Sequence, residues 1–352
     1  MALVFADGFD HYQTADVLKK WTGLCASAAA PTDIGPEYAR PPGGMGLFNY
    51  QAASRGVYKT FAATHVSFVC GFNVNFQSAS ATGAILGFFD SSSGTPGATY
   101  QISLKLDGSA HLQVFTGAST VLATSANTMS ASTWYHVEIK ATINNSTGTY
   151  EVRVNGSATG WIAAATGKNT RGQSANNYID VVALEPAGST AVTGQYVDDF
   201  YFLSSSAPNN DFLGPQKILA AFPAATGNYA QWTGNYATNF ANVNETTADG
   251  DQTFNQSATA NQIDSFVFDD VPAGTISAVQ FCIEARQDAG AARTIAAFER
   301  AAAGPTDRVM TSQILAGSYL IYTDPRDVDP DTSAAWTATL FNSNEYGYKE
   351  IS

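Results

Sequence analysis

The sequence predicts an all-β protein built from two β-sandwich domains, and three observations lead to this fold class. Aromatic residues are abundant, with 21 Phe, 16 Tyr and 5 Trp among 352 residues. Lys and Glu are scarce while Thr and Gly are frequent, which suits many short strands better than helices. Segments that alternate apolar and polar residues recur at intervals of about 8–12 residues, separated by turn-forming residues.

The clearest hairpin covers residues 134–156, with the sequence WYHVEIKATINNSTGTYEVRVNG. In its first strand Val137 and Ile139 fall on one face, while His136 and Glu138 fall on the other. This period of two is typical of a half-buried strand. A polar turn follows, and an Asn-Gly pair closes the second strand with a strong hairpin signal.

This Trp-Tyr-His-Val-Glu strand, its polar turn and the Tyr-x-Val-x-Val-Asn-Gly strand resemble the core hairpin of concanavalin/laminin-G-like jelly-roll domains. The resemblance implies a jelly-roll sandwich over residues 1–205, in which the first and last strands are commonly neighbours. Residues 206–216 are rich in Ser, Pro, Asn and Gly and predict a linker. Short strands in residues 217–352 predict a second, smaller β-sandwich domain.

Residue patterns and capping signals also predict local features of the chain. Thr14 is expected to cap a short helix over residues 15–21. The Ala-rich stretch 285–303 is compatible with a helix or a strand, and residues 336–341 are expected to form a strand. Gln101 alternates with apolar neighbours, so we expect it to face solvent.

The formal net charge of −13 bears on the partners of the chain. Such a charge repels phosphate backbones and anionic lipid surfaces, so neither nucleic acid nor membrane is an expected partner. The start, MALVFADGFDHY, lacks the pattern of a secretory signal. No run reaches the roughly 18–20 apolar residues of a transmembrane segment.

The cysteines and histidines predict no metal centre. Cys25, Cys70 and Cys282 lie far apart and show no metal-ligand spacing. One disulfide is an alternative, but three buried thiols are expected. The four histidines show no paired spacing, so no zinc site is predicted.

Two acidic stretches are candidate sites. Glycosidases with this architecture need two carboxylates about 5–5.5 Å apart. Asp198 and Asp199 are adjacent in a strand and should point to opposite faces, so we predict no catalytic residue and a satisfied pair. Alternation of Asp327, Asp329 and Asp331 suggests a calcium site, with a solvated loop as the alternative. No other cofactor is expected.

Carbohydrate binding requires exposed aromatic faces together with amides and hydroxyl groups. The connection after residue 156 gathers these residue types. The candidate carbohydrate-binding residues are Trp161, Asn169, Arg171, Asn176, Asn177 and Tyr178. The alternative interpretation is a loop with one buried Trp.

A second resemblance covers most of the chain. The segments DGFDHY, YVDDFYFL, NNDFLGPQKI, DGDQTF and AAWT resemble those of tailed-bacteriophage virion proteins. This implies a non-enzymatic virion structural protein, as a head decoration or fibre or a tail-associated protein, assembled in the host cytoplasm. Its expected partners are other virion proteins and copies of itself. The alternatives are a glycan-binding host-attachment adhesin, whose partner is a host surface glycan, and a capsule-degrading glycosidase.

Overall fold

The computed structural model describes residues 2–25, 33–49, 56–77, 83–93, 99–184, 194–288, 290–302 and 306–352. The chain divides into two compact units, with their main bodies at Val4–Ile218 and Leu219–Ser352. The predicted linker, 206–216, belongs to the first unit by this division. The predicted domain limits at 205 and 217 stay a prediction.

Most of the regular elements of the first unit are strands. Their bounds are β1 Leu3–Asp7, β2 Gly23–Leu24, β3 Asp33–Gly35, β4 Gly46–Asn49, β5 Val57–His65, β6 Ser67–Phe76, β7 Gly83–Phe89, β8 Tyr100–Leu106, β9 His111–Gly117, β10 Thr120–Thr128, β11 Trp134–Thr142, β12 Gly148–Val154, β13 Ser157–Lys168, β14 Ile179–Leu184 and β15 Gln195–Ser204. The short helices are α1 Val17–Lys20 and the 3-10 turns Thr14–Asp16, Pro36–Tyr38 and Ser91–Ser93.

These strands form a jelly-roll sandwich of two antiparallel sheets, which we call sheets A and B. Within the described residues, sheet A has the order β13-β12-β11-β6-β15-β4-β3, and β1 pairs with β15. Sheet B has the order β10-β9-β8-β7-β14-β5-β2. The sheets pack face to face: Phe68 of β6 meets Phe88 of β7 at 4.4 Å between ring centroids, and Phe61 of β5 meets Phe202 of β15 at 4.5 Å. The core therefore lies between the two apolar faces.

The hairpin of β11 and β12 forms as its pattern predicts. Val137 pairs with Val154 and Ile139 with Val152, and all four side chains are buried. Beyond β12, Asn155 has a φ of 52° and Gly156 one of 81°. Both angles are positive, as the tight turn between twisted strands requires.

The predicted helix near the N-terminus is only partly correct. A 3-10 turn at Thr14–Asp16 precedes α1, which spans a single turn. Thr14 does not cap it: its hydroxyl donates to Asp33 Oδ1 at 2.7 Å. A helix of this length owes its form to tertiary packing more than to capping.

The second unit is smaller and also β-rich. Its strands are β16 Pro223–Ala230, β17 Thr233–Gly234, β18 Asn255–Gln256, β19 Ile263–Phe268, β20 Val279–Ala285, β21 Thr294–Arg300, β22 Asp307–Val309, β23 Gln313–Ile314, β24 Leu320–Arg326 and β25 Glu345–Glu350. Its helical elements are α2 Ala338–Ser343 and the 3-10 turn Asn239–Asn242. The main sheet has the order β16-β19-β25-β21-β22, with β23 beside β21, and β20 pairs with β24.

The core of the second unit is aromatic. Tyr346 of β25 packs on Phe281 of β20 at 5.6 Å between ring centroids and on Phe341 of α2 at 4.8 Å. The strand option for the Ala-rich stretch is correct, since β21 lies there. The strand expected at residues 336–341 is wrong: Thr337 caps α2 by accepting the backbone N–H of Leu340.

The prediction of three buried thiols is wrong in one case. Cys25 and Cys70 are buried, and Cys282 is exposed. All three are free cysteines. Among the described residues, no helix has the length and hydropathy needed to cross a membrane.

Candidate functional site

The loop of residues 169–178 joins β13 to β14 and runs over one end of sheet B. We call it the rim loop. It passes so close to the end of β9 that a methyl group on Gly172 would lie 1.9 Å from the backbone nitrogen of Gly117. Only glycine fits at this approach, so the loop lies flat against the ends of the strands.

Gln101 of β8 fixes the rim loop from below. Its Nε2 donates to the carbonyl oxygens of Asn176 at 2.9 Å and Tyr178 at 3.3 Å. The same Nε2 reaches Ser174 Oγ at 3.0 Å, and Oε1 accepts the backbone N–H of Gln173 at 3.2 Å. The expectation that Gln101 faces solvent is wrong: the loop covers it completely, because its amide replaces water as the loop's hydrogen-bond partner.

Asp90, directly after β7, is the second anchor of the loop. Its Oδ2 accepts Ser174 Oγ at 2.6 Å and Asn176 Nδ2 at 2.7 Å, and its Oδ1 accepts the backbone N–H of Ser92 at 3.0 Å. Burial alone would raise the pKa of Asp90, but these hydrogen bonds outweigh burial and lower it. At neutral pH the group is therefore a fixed carboxylate that organises the loop.

Five of the six predicted carbohydrate-binding residues come together in the rim loop. They are Asn169, Arg171, Asn176, Asn177 and Tyr178. Arg171 Nη1 donates to Asn177 Oδ1 at 3.2 Å, and the backbone N–H of Arg171 donates to Asn169 Oδ1 at 3.1 Å. Asn176 Nδ2 donates to the Tyr178 hydroxyl at 3.1 Å. The side chains of Asn169 and Asn177 are exposed, and those of the other three are half-buried.

The sixth predicted residue, Trp161, lies elsewhere. It sits in the middle of β13, where its half-buried ring packs edge-on against Tyr135 at 6.2 Å between centroids. Within the described residues, no hydrogen bond or ring contact joins it to the rim loop. The sequence pattern placed it with the loop only because both lie in the same polar connection.

Sequence reasoning missed the residues that hold the loop from beneath. Asp90 and Gln101 lie 86 and 75 positions from Asn176, and no local pattern predicts such pairing. The alternation of β8, YQISLKL, gave no signal for Gln101, because it places Gln101 on the polar face with Ser103 and Lys105.

A second polar cluster lies on the outer face of sheet A. The Tyr201 hydroxyl donates to Glu138 Oε1 at 2.6 Å. Gly71 leaves room for the phenol ring, since a Cβ there would lie 2.2 Å from Tyr201 Cζ. The backbone N–H groups of Leu213 and Gly214 also donate to Oε1, at 2.8 and 3.2 Å. The Glu138 side chain is buried under this segment, so the cluster holds the chain in place rather than presenting an open site.

His136 completes this cluster in neutral form. Burial, assisted by the positive charge of Arg40, lowers the pKa of His136 to about 4. Its Nε2 lies 3.8 Å from Glu138 Oε2. Because the imidazole is uncharged at neutral pH, this contact is not an ion pair there.

The Asp198–Asp199 pair is buried and paired with cations. Asp199 Oδ2 accepts Arg40 Nε at 2.8 Å and Asn73 Nδ2 at 2.9 Å. Lys217 Nζ lies 3.5 Å from Asp198 Oδ2 and 3.8 Å from Asp199 Oδ1. Burial, followed by the neighbouring Asp199 charge, raises the pKa of Asp198. The expectation of opposite faces is wrong, because a bulge in β15 and a φ of 52° at Asp199 turn both carboxyl groups the same way.

The predicted calcium ligands have other partners. Asp331 Oδ1 pairs with Arg308 Nη2 at 2.8 Å. Asp329 Oδ1 accepts the backbone N–H and the hydroxyl of Thr332, at 2.6 and 2.7 Å. Asp327 is buried. In the part of the chain that the structure describes, no group of three or more His, Cys, Asp or Glu side chains is arranged to hold a metal ion; calcium binding stays a prediction.

The chain was compared with family models, curated proteins and solved structures. No family model and no curated protein matches the chain. The alginate lyase of Aplysia kurodai is similar at a TM-score of 0.38 and 12% identity, over 49% of this chain and 87% of that one. An endo-β-1,4-glucuronan lyase of Trichoderma reesei gives 0.38 and 11%, over 52% and 91%. The sialidase of Trypanosoma rangeli gives 0.33 and 17%, over 45% and 25%.

These comparisons correct the function predicted from the sequence. The matched structures named above are polysaccharide lyases and a sialidase, and none of them is a virion protein. The prediction of a non-enzymatic virion structural protein is therefore wrong on these findings. At these identities the likeness concerns the fold alone. The resemblance to tailed-phage proteins, the homo-oligomeric state and the other partners are not tested by these matches and stay predictions.

Proposed function

We propose that the protein binds carbohydrate at the rim loop of its first unit. The observation that carries the proposal is that hydrogen bonds join Asn169, Arg171 and Asn177 on a loop that also carries Tyr178 and is anchored from below. Jelly rolls present such loops from a rigid sandwich, and lectin domains are among the proteins that use this architecture.

The chemistry of the rim loop suits a hydroxyl-rich ligand. Amide and guanidinium N–H groups supply directional donors, and the phenol ring of Tyr178 supplies an apolar surface for the carbon side of a sugar ring. A small number of placed polar groups around an aromatic ring is the usual composition of a small-molecule site.

The rim loop is held in place by hydrogen bonds from the residues beneath it. Gln101 and Asp90 hold the backbone and side chains of residues 173–178 before any ligand arrives. A loop that is already ordered pays less conformational entropy when it binds. The hydrogen bonds under the loop therefore favour recognition over a merely connecting role.

We propose binding rather than catalysis at this place. A general acid for glycoside cleavage needs a raised pKa, whereas hydrogen bonds lower the pKa of Asp90. The Asp90 side chain is also buried. It is suited to position the loop and not to exchange protons with a substrate.

Titration calorimetry with a panel of neutral and acidic oligosaccharides tests the proposal. The wild type is expected to bind at least one of them. Asn177→Ala is expected to weaken that binding by about tenfold or more, which corresponds to roughly 1.4 kcal/mol. The matched control is Asn145→Ala, an exposed asparagine in the β11–β12 turn.

Two results would contradict the proposal. One is that the wild type binds no saccharide of the panel. The other is that Asn177→Ala and Asn145→Ala affect binding equally, since the ligand would then not lie on the rim loop.

A further inference from the structure

Resting on the proposed function, we propose that the saccharide bound at the rim loop is anionic, and that Arg171 binds its carboxylate. The loop holds the guanidinium group of Arg171 by one side only, through Nη1.

Arg171 Nη1 is the nitrogen that the loop engages. It donates to the carbonyl oxygen of Ala175 at 2.7 Å and to Asn177 Oδ1 at 3.2 Å. The two nitrogens of the opposite edge, Nε and Nη2, have no hydrogen-bond partner among the described residues. They form a planar fork that matches the two oxygens of a carboxylate.

The neighbouring amides also present donors. Asn177 Oδ1 is engaged by Arg171 Nη1, and Asn169 Oδ1 by the backbone N–H of Arg171. In each case the acceptor atom is used inside the loop, which leaves the Nδ2 donors of two exposed side chains. A surface that offers donors from three side chains fits an acceptor-rich group.

The charge of Arg171 also favours an anionic ligand. Within the described residues no carboxylate forms an ion pair with Arg171, although the chain carries a net charge of −13. Charges of the rest of the protein that lie beyond about 8 Å are screened at physiological salt, so the guanidinium group of Arg171 can still attract an anion.

The test compares uronate oligosaccharides with their methyl esters, which keep the sugar and lose the charge. Galacturonate, glucuronate and mannuronate oligomers and their esters are titrated into the full chain. The wild type is expected to bind at least one acid about tenfold or more tightly than its ester. Arg171→Gln is expected to weaken acid binding by a larger factor than ester binding, so that the variant no longer prefers the acid.

Lys168→Gln is the matched control, because it removes an equal charge three residues away. It is expected to keep most of the preference for the acid. Equal wild-type affinity for acid and ester, or an equal loss in both variants, would overturn the inference while leaving carbohydrate binding intact. Binding of inorganic phosphate or sulfate without binding of any uronate would overturn it as well. Absence of binding to every saccharide, charged or neutral, would overturn the proposed function itself.

Discussion

The carboxyl groups of Asp198 and Asp199, neighbours along β15, both approach the ammonium group of Lys217, at 3.5 and 3.8 Å. In a regular strand they would point to opposite faces. The bulge between Asp198 and Tyr201 removes the alternation, and Asp199 adopts a left-handed backbone conformation that costs energy for a residue with a side chain. The cation pairs and hydrogen bonds of both carboxyl groups offset that cost.

Removal of the shared cation should destabilise the first unit. Lys217→Met keeps the length of the side chain but leaves the two buried carboxyl groups with one cation fewer. We expect a loss of about 1–3 kcal/mol in the free energy of unfolding, measured by urea denaturation at pH 7. Lys168→Met, at an exposed position, is the control and should change stability little. Equal stability of the two variants would show that Lys217 contributes nothing to the pair.

Gln101 should determine the order of the rim loop. Gln101→Leu has nearly the same volume but leaves the carbonyl groups of Asn176 and Tyr178 without their donor. We expect faster amide hydrogen exchange across residues 173–178, because the loop opens more often. Gln113→Leu on β9 is the control, since its amide reaches only Thr124 at an exposed position. Unchanged exchange in the Gln101 variant would contradict the anchoring role.

Through Glu138, Tyr201 should stabilise the packing of Leu213 and Gly214 on the outer face of sheet A. Tyr201→Phe removes the 2.6 Å hydrogen bond and keeps the ring. The expected loss of stability is about 0.5–1.5 kcal/mol by thermal or urea unfolding. The control, Tyr196→Phe, loses an exposed bond from Gln77 and should cost less. A larger effect at Tyr196 than at Tyr201 would contradict this account of the cluster.

The second unit should lose stability as the pH rises. Burial raises the pKa of Glu299 from 4.5 to about 8, and the nearby carboxyl group of Asp329 adds to the rise. The folded state therefore holds a proton that the unfolded state releases, and the contribution of this group is lost between about pH 4.5 and 8. Glu299→Gln is expected to flatten this dependence and to be more stable than the wild type at pH 8.

Thermal unfolding of both proteins across this pH range measures the effect. Asp288→Asn, which removes a carboxylate at an exposed position of the same unit, is the control and should leave the slope as in the wild type. The opposite outcome is a wild type that becomes more stable from pH 5 to pH 8, with the stability of Glu299→Gln changing in the same way. That result would show that Glu299 is not protonated in the folded protein.

Period-two patterning predicts those parts of the fold that depend on burial of one face. The β11–β12 hairpin shows this, since Val137, Ile139 and Val152 lie inside as the alternation requires. The pattern fails at residues 336–341, where the capping residue Thr337 and a short helix replace the expected strand. A segment of six residues such as WTATLF is too short for its pattern to distinguish a strand from a helix, and tertiary packing decides between them.

The rim loop, too, could be predicted from the sequence only in part. Its residue types, amides with an Arg and a Tyr, could be identified from the sequence because side-chain chemistry is local. The anchors Asp90 and Gln101 could not, since the pairing of distant strands brings them beneath the loop. The bulge at Asp198 is likewise unpredictable, because the register of β15 against β6 produces it.

The most direct test of carbohydrate binding at the rim loop is hydrogen exchange of the full chain with and without a saturating bound oligosaccharide. A ligand on the rim loop should slow exchange in residues 169–178 and at Ser91 and Ser92, with no change around Trp161. Protection confined to β13 near Trp161, to residues 211–218 or to the second unit would contradict it and place the ligand elsewhere.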